Sequence, residues 1–133
     1  LRGDTVRAIC EDREGNLWVG TNIGVSLLPA GAGNDRFLTA FGNTMQVQYR
    51  PDHITSLAFD QTGRLWAGTS ATGVYLMDPA SRTFQPFLPP KGSPNIIHRS
   101  IRKIITDRKG RLWIGTQEGL SVVDPISMAC TNY

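Results

Sequence analysis

Hydrophobic residues in this chain come in short bursts that alternate with polar ones and are cut by turn residues. Val25 and Leu27 flank Ser26, Val74 and Leu76 flank Tyr75, and Leu120 and Val122 flank Ser121. A period of two puts each pair on one face of a strand, so these stretches predict strands with one face packed deeper than the other. Just upstream of each lies Leu-Trp-x-Gly-Thr, at 17–21, 65–69 and 112–116, which reads as a preceding strand. The glycine inside it predicts that a neighbouring backbone or the Trp ring lies against the chain there. Upstream again stand Asp12-Arg-Glu-Gly15, Asp60-Gln-Thr-Gly63 and Asp107-Arg-Lys-Gly110. An Asp that caps following amides and a Gly that accepts positive φ predict a tight hairpin from a first strand into the Leu-Trp strand.

The same unit therefore occurs three times, without helical periodicity. Its tryptophans at 18, 66 and 113 are 48 and 47 residues apart, the period of a four-stranded propeller blade and too long for ankyrin or tetratricopeptide units. A fourth strand is predicted at Arg36–Phe41 and at Thr83–Phe87, where Pro86 suits an edge; in the third copy, Ser127–Tyr133 is a poor match. The expected fold is all-β, with blades at about 5–41, 54–87 and 101–133 of one propeller segment. A lone four-stranded sheet leaves an apolar face uncovered, so Trp18, Trp66 and Trp113 are expected to pack on the adjacent blade. Asp12, Asp60 and Asp107 read as turn caps.

Composition narrows the function classes. The net charge of +3 is scattered singly along 133 residues, which argues against a nucleic-acid surface. Cys10 and Cys130 lie near opposite ends with no CxxC or Cys/His cluster, so no metal site is expected and at most one bridge could form. Cys10 reads as a small buried thiol and Cys130 as a tail thiol. No run approaches the ~20 apolar residues of a membrane helix, so no membrane contact by this segment is expected. The start Leu1-Arg2-Gly3-Asp4 is neither an initiator Met nor a signal peptide, as in a piece excised from a longer protein.

The Asp-x-x-Gly-x-Leu-Trp-x-Gly-Thr-x-x-Gly pattern, present three times in register with one residue inserted at Ser70-Ala71-Thr72, resembles the two-component regulator propeller repeat. The resemblance implies a seven-bladed propeller in the extracytoplasmic sensor region of a bacterial hybrid histidine kinase or diguanylate cyclase. It implies a periplasmic location, a membrane-anchored parent, and a non-enzymatic role in signal transduction in which several relatives sense oligosaccharides. No kinase, cyclase or receiver motif is present, and no cofactor is implied. At about 47 residues per blade the chain supplies roughly 2.8 blades, fewer than the four to eight of closed propellers. The expected partners are the remaining blades of a longer propeller, or a second copy making about six blades, together with a small-molecule or glycan ligand.

Propeller topology places the hairpins between first and second strands on one face, and the turns between second and third strands with the inter-blade connections on the other. The second face is the variable one, and recognition is usually placed on loops that vary over a constant scaffold. There stand Tyr49, Arg50, His53, Asn95, His98 and Arg99, a mix of aromatic, amide and cationic groups that can stack on and hydrogen-bond a polar ligand. Two other readings stay open. Streptogramin-type lyases are propellers with similar Gly-Leu-Trp turns, and in that reading His53, His98 and Glu118 would carry protons. The arc could also be a purely structural, protein-interaction segment.

Overall fold

The computed structural model describes residues 5–31, 38–39, 53–78, 80–81 and 83–133, and these form twelve strands without a helix. The strands are β1 (Val6–Glu11), β2 (Leu17–Thr21), β3 (Gly24–Leu28), β4 (Leu38–Thr39), β5 (Ile54–Phe59), β6 (Leu65–Thr69), β7 (Val74–Asp78), β8 (Thr83–Pro86), β9 (Ile101–Thr106), β10 (Leu112–Thr116), β11 (Gly119–Val123) and β12 (Cys130–Asn132). They make three antiparallel four-stranded sheets, β1 to β4, β5 to β8 and β9 to β12, each a meander in sequence order. The poorly matching third copy does close its sheet: β12 pairs with β11 through Val123 opposite Cys130 and Ser121 opposite Asn132.

Register repeats as strictly as sequence. Trp18, Trp66 and Trp113 face Cys10, Ala58 and Ile105 on the first strand of their sheets, and Leu27, Leu76 and Val122 on the third. Each first strand carries a bulge at the same place, after Val6 in β1 and Ile54 in β5 and opposite the Gly115–Thr116 step in β9. A bulge there sharpens the twist that lets successive sheets stack.

Stacking produces two cores, each shared between neighbouring sheets. Trp18, Val25 and Leu27 of the first sheet meet Ile54, Leu57, Leu65 and Met77 of the second. Trp66, Val74 and Leu76 of the second meet Ile101, Ile104, Leu112 and Val123 of the third. The middle sheet is therefore covered on both sides, and Trp66 is fully buried. The polar side of strand three is not the shallow side that alternation predicts: Ser26 and Ser121 are both buried, and Ser121 shares with Val123 the face turned toward the second sheet. Ser121 is satisfied there: its hydroxyl donates to Asn132 Oδ1 at 2.6 Å and accepts the Ile97 amide at 3.0 Å.

The glycine of Leu-Trp-x-Gly-Thr has a different reason from the one its sequence predicts. At Gly20 and Gly68 the nearest group is neither a backbone nor the Trp ring but the isoleucine that opens the next sheet. A Cβ built on Gly68 would stand 2.5 Å from Ile101 Cγ2 and 3.0 Å from Ile101 Cβ, and one on Gly20 would stand 2.9 Å from Ile54 Cβ. Glycine is what lets the first strand of one blade press into the second strand of the last.

The two thiols also exchange roles. Cys130 is buried in the second core beside Val123 and Leu112, whereas Cys10 is half-buried, and both are free. Burial and the neighbouring Asp12 carboxylate push the Cys10 thiol up to about 12.

Candidate functional site

Two constellations recur on the arc, one at each rim. The first is built by the hairpins between first and second strands. In the second sheet, Asp60 Oδ1 accepts the amides of Thr62 and Arg64 at 2.8 and 3.1 Å, and Gly63 turns the chain at φ 89°. Its other oxygen, Oδ2, accepts the indole N–H of Trp66 at 2.7 Å and the Arg64 Nε–H at 3.0 Å. Asp12 holds Trp18 at 2.9 Å, and Asp107 holds Trp113 at 2.7 Å, in the same way. The Asp thus does two jobs, capping the turn and fixing the ring whose face forms the core. The indole bond was missed by the sequence reading, although a constant Asp to Trp spacing of six residues signals it.

A groove of about 330 Å³ opens between the first two of these hairpins, with Glu11, Asp12 and Asp60 around the edges of Trp18 and Phe59. Those two rings meet edge to face with centroids 6.2 Å apart. Between the second and third sheets the matching space is bridged. The Arg64 guanidinium donates to the Pro125 carbonyl, and Gln61 lies against Gly110. A second groove, of about 430 Å³, lies on the outer side among Arg64, Leu76, Gln85 and Met128.

The opposite rim is organised by threonine. Thr21, Thr69 and Thr116 close the turn from second to third strand by donating to the carbonyls of Gly24, Gly73 and Gly119 at 3.1, 2.8 and 2.9 Å. The inserted residue of the second copy is absorbed without loss of that bond. Onto these turns the inter-blade connections are latched by their backbones. The His53 amide donates to the Asn22 carbonyl at 3.0 Å, and the Ser70 amide donates to the His53 carbonyl at 3.1 Å. The Gly73 amide donates to the Arg99 carbonyl at 2.9 Å, and the Gln117 amide to the Ser100 carbonyl at 3.0 Å.

These latches place the predicted ligand residues unequally. His53 and Arg99 come to opposite ends of the same turn, Ser70 to Gly73, with both side chains exposed. His53 reaches this place with φ 53°, a left-handed conformation rare outside glycine. His98 is half-buried next to Arg99, and its Nδ1 accepts the Ser100 amide at 3.0 Å. Asn95 is drawn away from this group: its carbonyl accepts from Asn132 Nδ2 at 2.9 Å, beside β12. Tyr49 and Arg50 lie outside the described residues. None of His53, Asn95, His98 and Arg99 lines either groove.

A family model for the two-component regulator propeller matches residues 1–22, 48–71 and 95–118, together a little more than half of the chain. The chain belongs to this propeller family. Solved structures agree in fold. The extracellular domain of a hybrid two-component system from B. thetaiotaomicron superposes with a TM-score of 0.80 at 19% identity, over 100% of this chain and 19% of that one. The extracellular domain of a one-component system from the same organism gives 0.73 at 17% identity, over 96% and 18%. Virginiamycin B lyase from Staphylococcus aureus gives 0.67 at 10% identity, over 96% and 40%. The chain thus spans less than a fifth of these two extracellular domains. No curated protein matches it. Among the described residues no group of His, Cys, Asp or Glu is arranged to hold a metal ion, and no helix is long and apolar enough to cross a membrane.

Within the regulator-propeller repeat the aspartates carry a measurable electrostatic signature. Burial alone would raise Asp60, but hydrogen bonds from Thr62, Trp66 and Arg64 outweigh it and hold the carboxyl below its usual value. The half-buried Asp107 is held down to about 2, first by the Trp113 indole and then by the Arg111 and Lys109 amides and the Arg111 side chain. A depressed folded-state value contributes stability that is fully present above the ordinary 3.8 and is lost as pH falls toward 2. The urea midpoint followed by tryptophan emission should therefore be flat above about pH 5 and fall between about pH 4 and 2. In Asp60→Asn the fall should be smaller than in the parent chain; equal slopes would show that the hairpin carboxylates are not what titrates.

Proposed function

We propose that this chain is a ligand-contacting segment of an extracytoplasmic bacterial sensor, without catalytic activity of its own, and that it meets its ligand at the rim formed by the second-to-third-strand turns. The family assignment supports a role in a two-component system, and the likeness to extracellular domains of such systems supports a periplasmic or otherwise extracytoplasmic setting. The observation that carries the ligand reading is the latching of His53 and Arg99, both exposed, to opposite ends of the Ser70 to Gly73 turn, with the half-buried His98 next to Arg99. A latched backbone bearing polar side chains suits a polar ligand such as an oligosaccharide, which is recognised by hydrogen bonds to hydroxyls. Binding there couples to signalling only if the ligand favours one arrangement of neighbouring blades or domains over another.

A lyase reading has one observation in its favour, the propeller shared with virginiamycin B lyase. With Nδ1 accepting the Ser100 amide, the neutral His98 ring carries its proton on Nε2. That tautomer can donate a hydrogen bond to a ligand oxygen, or a proton as a general acid, while a base would have to come from His53 or Glu118.

The test is a thermal-shift and calorimetric screen of the chain against neutral and acidic oligosaccharides. At least one should raise the melting temperature. Because the Arg99 side chain is exposed and only its carbonyl serves the fold, Arg99→Ala should leave the unliganded melting temperature unchanged while weakening that ligand about tenfold or more. Absence of any shift across the panel would count against sensing by this segment. Consumption of a substrate that stops in His53→Ala would establish the lyase reading instead.

A further inference from the structure

We propose that the seam between the first and second sheets is the compliant joint of this arc, pivoting about the His53 latch, while the second and third sheets move as one body. Both seams share one apolar contact, an isoleucine of the following sheet against a strand-two glycine: Ile54 on Gly20 and Ile101 on Gly68. They differ in polar bonds. Across the second seam Thr55 Oγ1 donates to the Ile101 carbonyl at 2.7 Å, and the Ile104 amide donates to Ser56 Oγ at 2.9 Å. Thr106 Oγ1 donates to the Phe59 carbonyl at 2.8 Å, and the Arg64 guanidinium donates to the Pro125 carbonyl.

At the first seam each of these four positions carries a side chain that makes no such bond. Ala8 stands opposite Gly20 as Ser56 stands opposite Gly68, and it has no hydroxyl; Arg7, in the place of Thr55, is exposed. Phe59 stands opposite Leu65 as Thr106 stands opposite Leu112, and its ring meets Trp18 edge to face instead. Asn16 follows Asp12 by four residues as Arg64 follows Asp60, but it bonds within its own sheet, to Asp12 and to the Ala30 amide, both at 2.8 Å. Apolar contact is non-directional and tolerates sliding, whereas hydrogen bonds hold one relative position. The rims of the first seam set how it moves. At the hairpin rim lies the groove of about 330 Å³, and the space beside Gly63 is empty where that beside the equivalent Gly110 is filled by Gln61. At the opposite rim His53 ties the two sheets, its amide to the Asn22 carbonyl and its carbonyl to the Ser70 amide. Motion about that tie swings the hairpins together or apart. Such a joint is what a shift between blade arrangements requires, and it is a property of the unliganded chain.

Methyl relaxation dispersion on the unliganded chain, labelled at Ile, Leu and Val, tests this. Val25 and Leu27 of the first sheet and Leu57 of the second should show millisecond exchange at one common rate, whereas Val74, Ile104 and Val123 around the second seam should be flat. Ala8→Ser supplies a hydroxyl in the place of Ser56 and should lower the exchanging population in the first core about fivefold. The reverse swap, Ser56→Ala, should bring exchange into the second core. Flat profiles in the first core, equal exchange in both cores, or exchange unaltered by Ala8→Ser would overturn the inference. So would rates that differ from methyl to methyl, which mean fraying of single strands. Should either variant fail to fold, the contrast between the two cores of the parent chain decides alone.

Discussion

Replacing Trp66 with alanine should cost the chain about 3–5 kcal/mol of folding stability, the largest loss of any single side chain in it. Trp66 is fully buried at the centre of the second core, between Ile101, Ile104 and Ile114 of the following sheet and Phe87, whose ring centroid is 5.6 Å away. Alanine would leave a ring-sized cavity between two sheets whose backbones are pinned by their own ladders, so collapse of the space is restricted. It would also strip Asp60 Oδ2 of its 2.7 Å indole donor, leaving Arg64 as that oxygen's partner. Urea unfolding of dilute protein followed by circular dichroism measures this. Trp113→Ala is the natural comparison, since that ring has the same bond to Asp107 but lies half-exposed under the Arg111 guanidinium, 5.3 Å from its centroid. Its loss should be roughly half as large or less. Equal losses, or a loss under about 1 kcal/mol at Trp66, would refute the stacked-sheet account of stability.

Gly68→Ala is the second large effect, and it works by addition instead of removal. One methyl group would stand 2.5 Å from Ile101 Cγ2 and 3.3 Å from Ile104 Cδ1. Both isoleucines are packed on all sides, so neither can turn away, and the sheets must separate. The expected cost is about 1–3 kcal/mol, in the range for an overpacked core. Gly115→Ala has the same chemistry in the same strand position, but its methyl group would enter open space within the chain. In urea melts it should therefore be nearly neutral. A double variant, Gly68→Ala with Ile101→Val, should recover little, because the Cβ that valine retains is itself 3.0 Å from the added methyl. If Gly68→Ala and Gly115→Ala destabilise alike, the cost belongs to strand propensity and not to the neighbouring blade.

Both substitutions act on what the sequence displayed most openly, yet for reasons it displayed unevenly. Hairpins at Asp12, Asp60 and Asp107, the Leu-Trp strands and the alternating third strands were legible because their causes are local: a carboxylate reaching amides two and four residues on, a glycine at positive φ, a side-chain period of two. The indole bond was within reach of the same logic, being fixed by a six-residue spacing. The candidate ligand rim was legible only as a set of loop residues. Its real organisation, His53 and Arg99 latched to opposite ends of one turn while Asn95 is held beside β12, depends on backbone bonds between segments far apart in the chain.

What the sequence determined by itself is the repeated unit: three copies of a hairpin, a Trp-bearing strand and an alternating strand, and so an all-β propeller arc of the two-component regulator type. Tertiary structure alone decided what each face meets. Ser26 and Ser121 are buried although alternation marks them as outward; Cys130, near the chain end, sits in a core; Gly68 is required by an isoleucine 33 residues further on; and the same Trp is sealed in two sheets and open in the third. The physical reason is one of range. Turn chemistry and strand period act over a few residues and are written alike in every copy, whereas burial is a property of the neighbouring sheet, which lies tens of residues away in the chain.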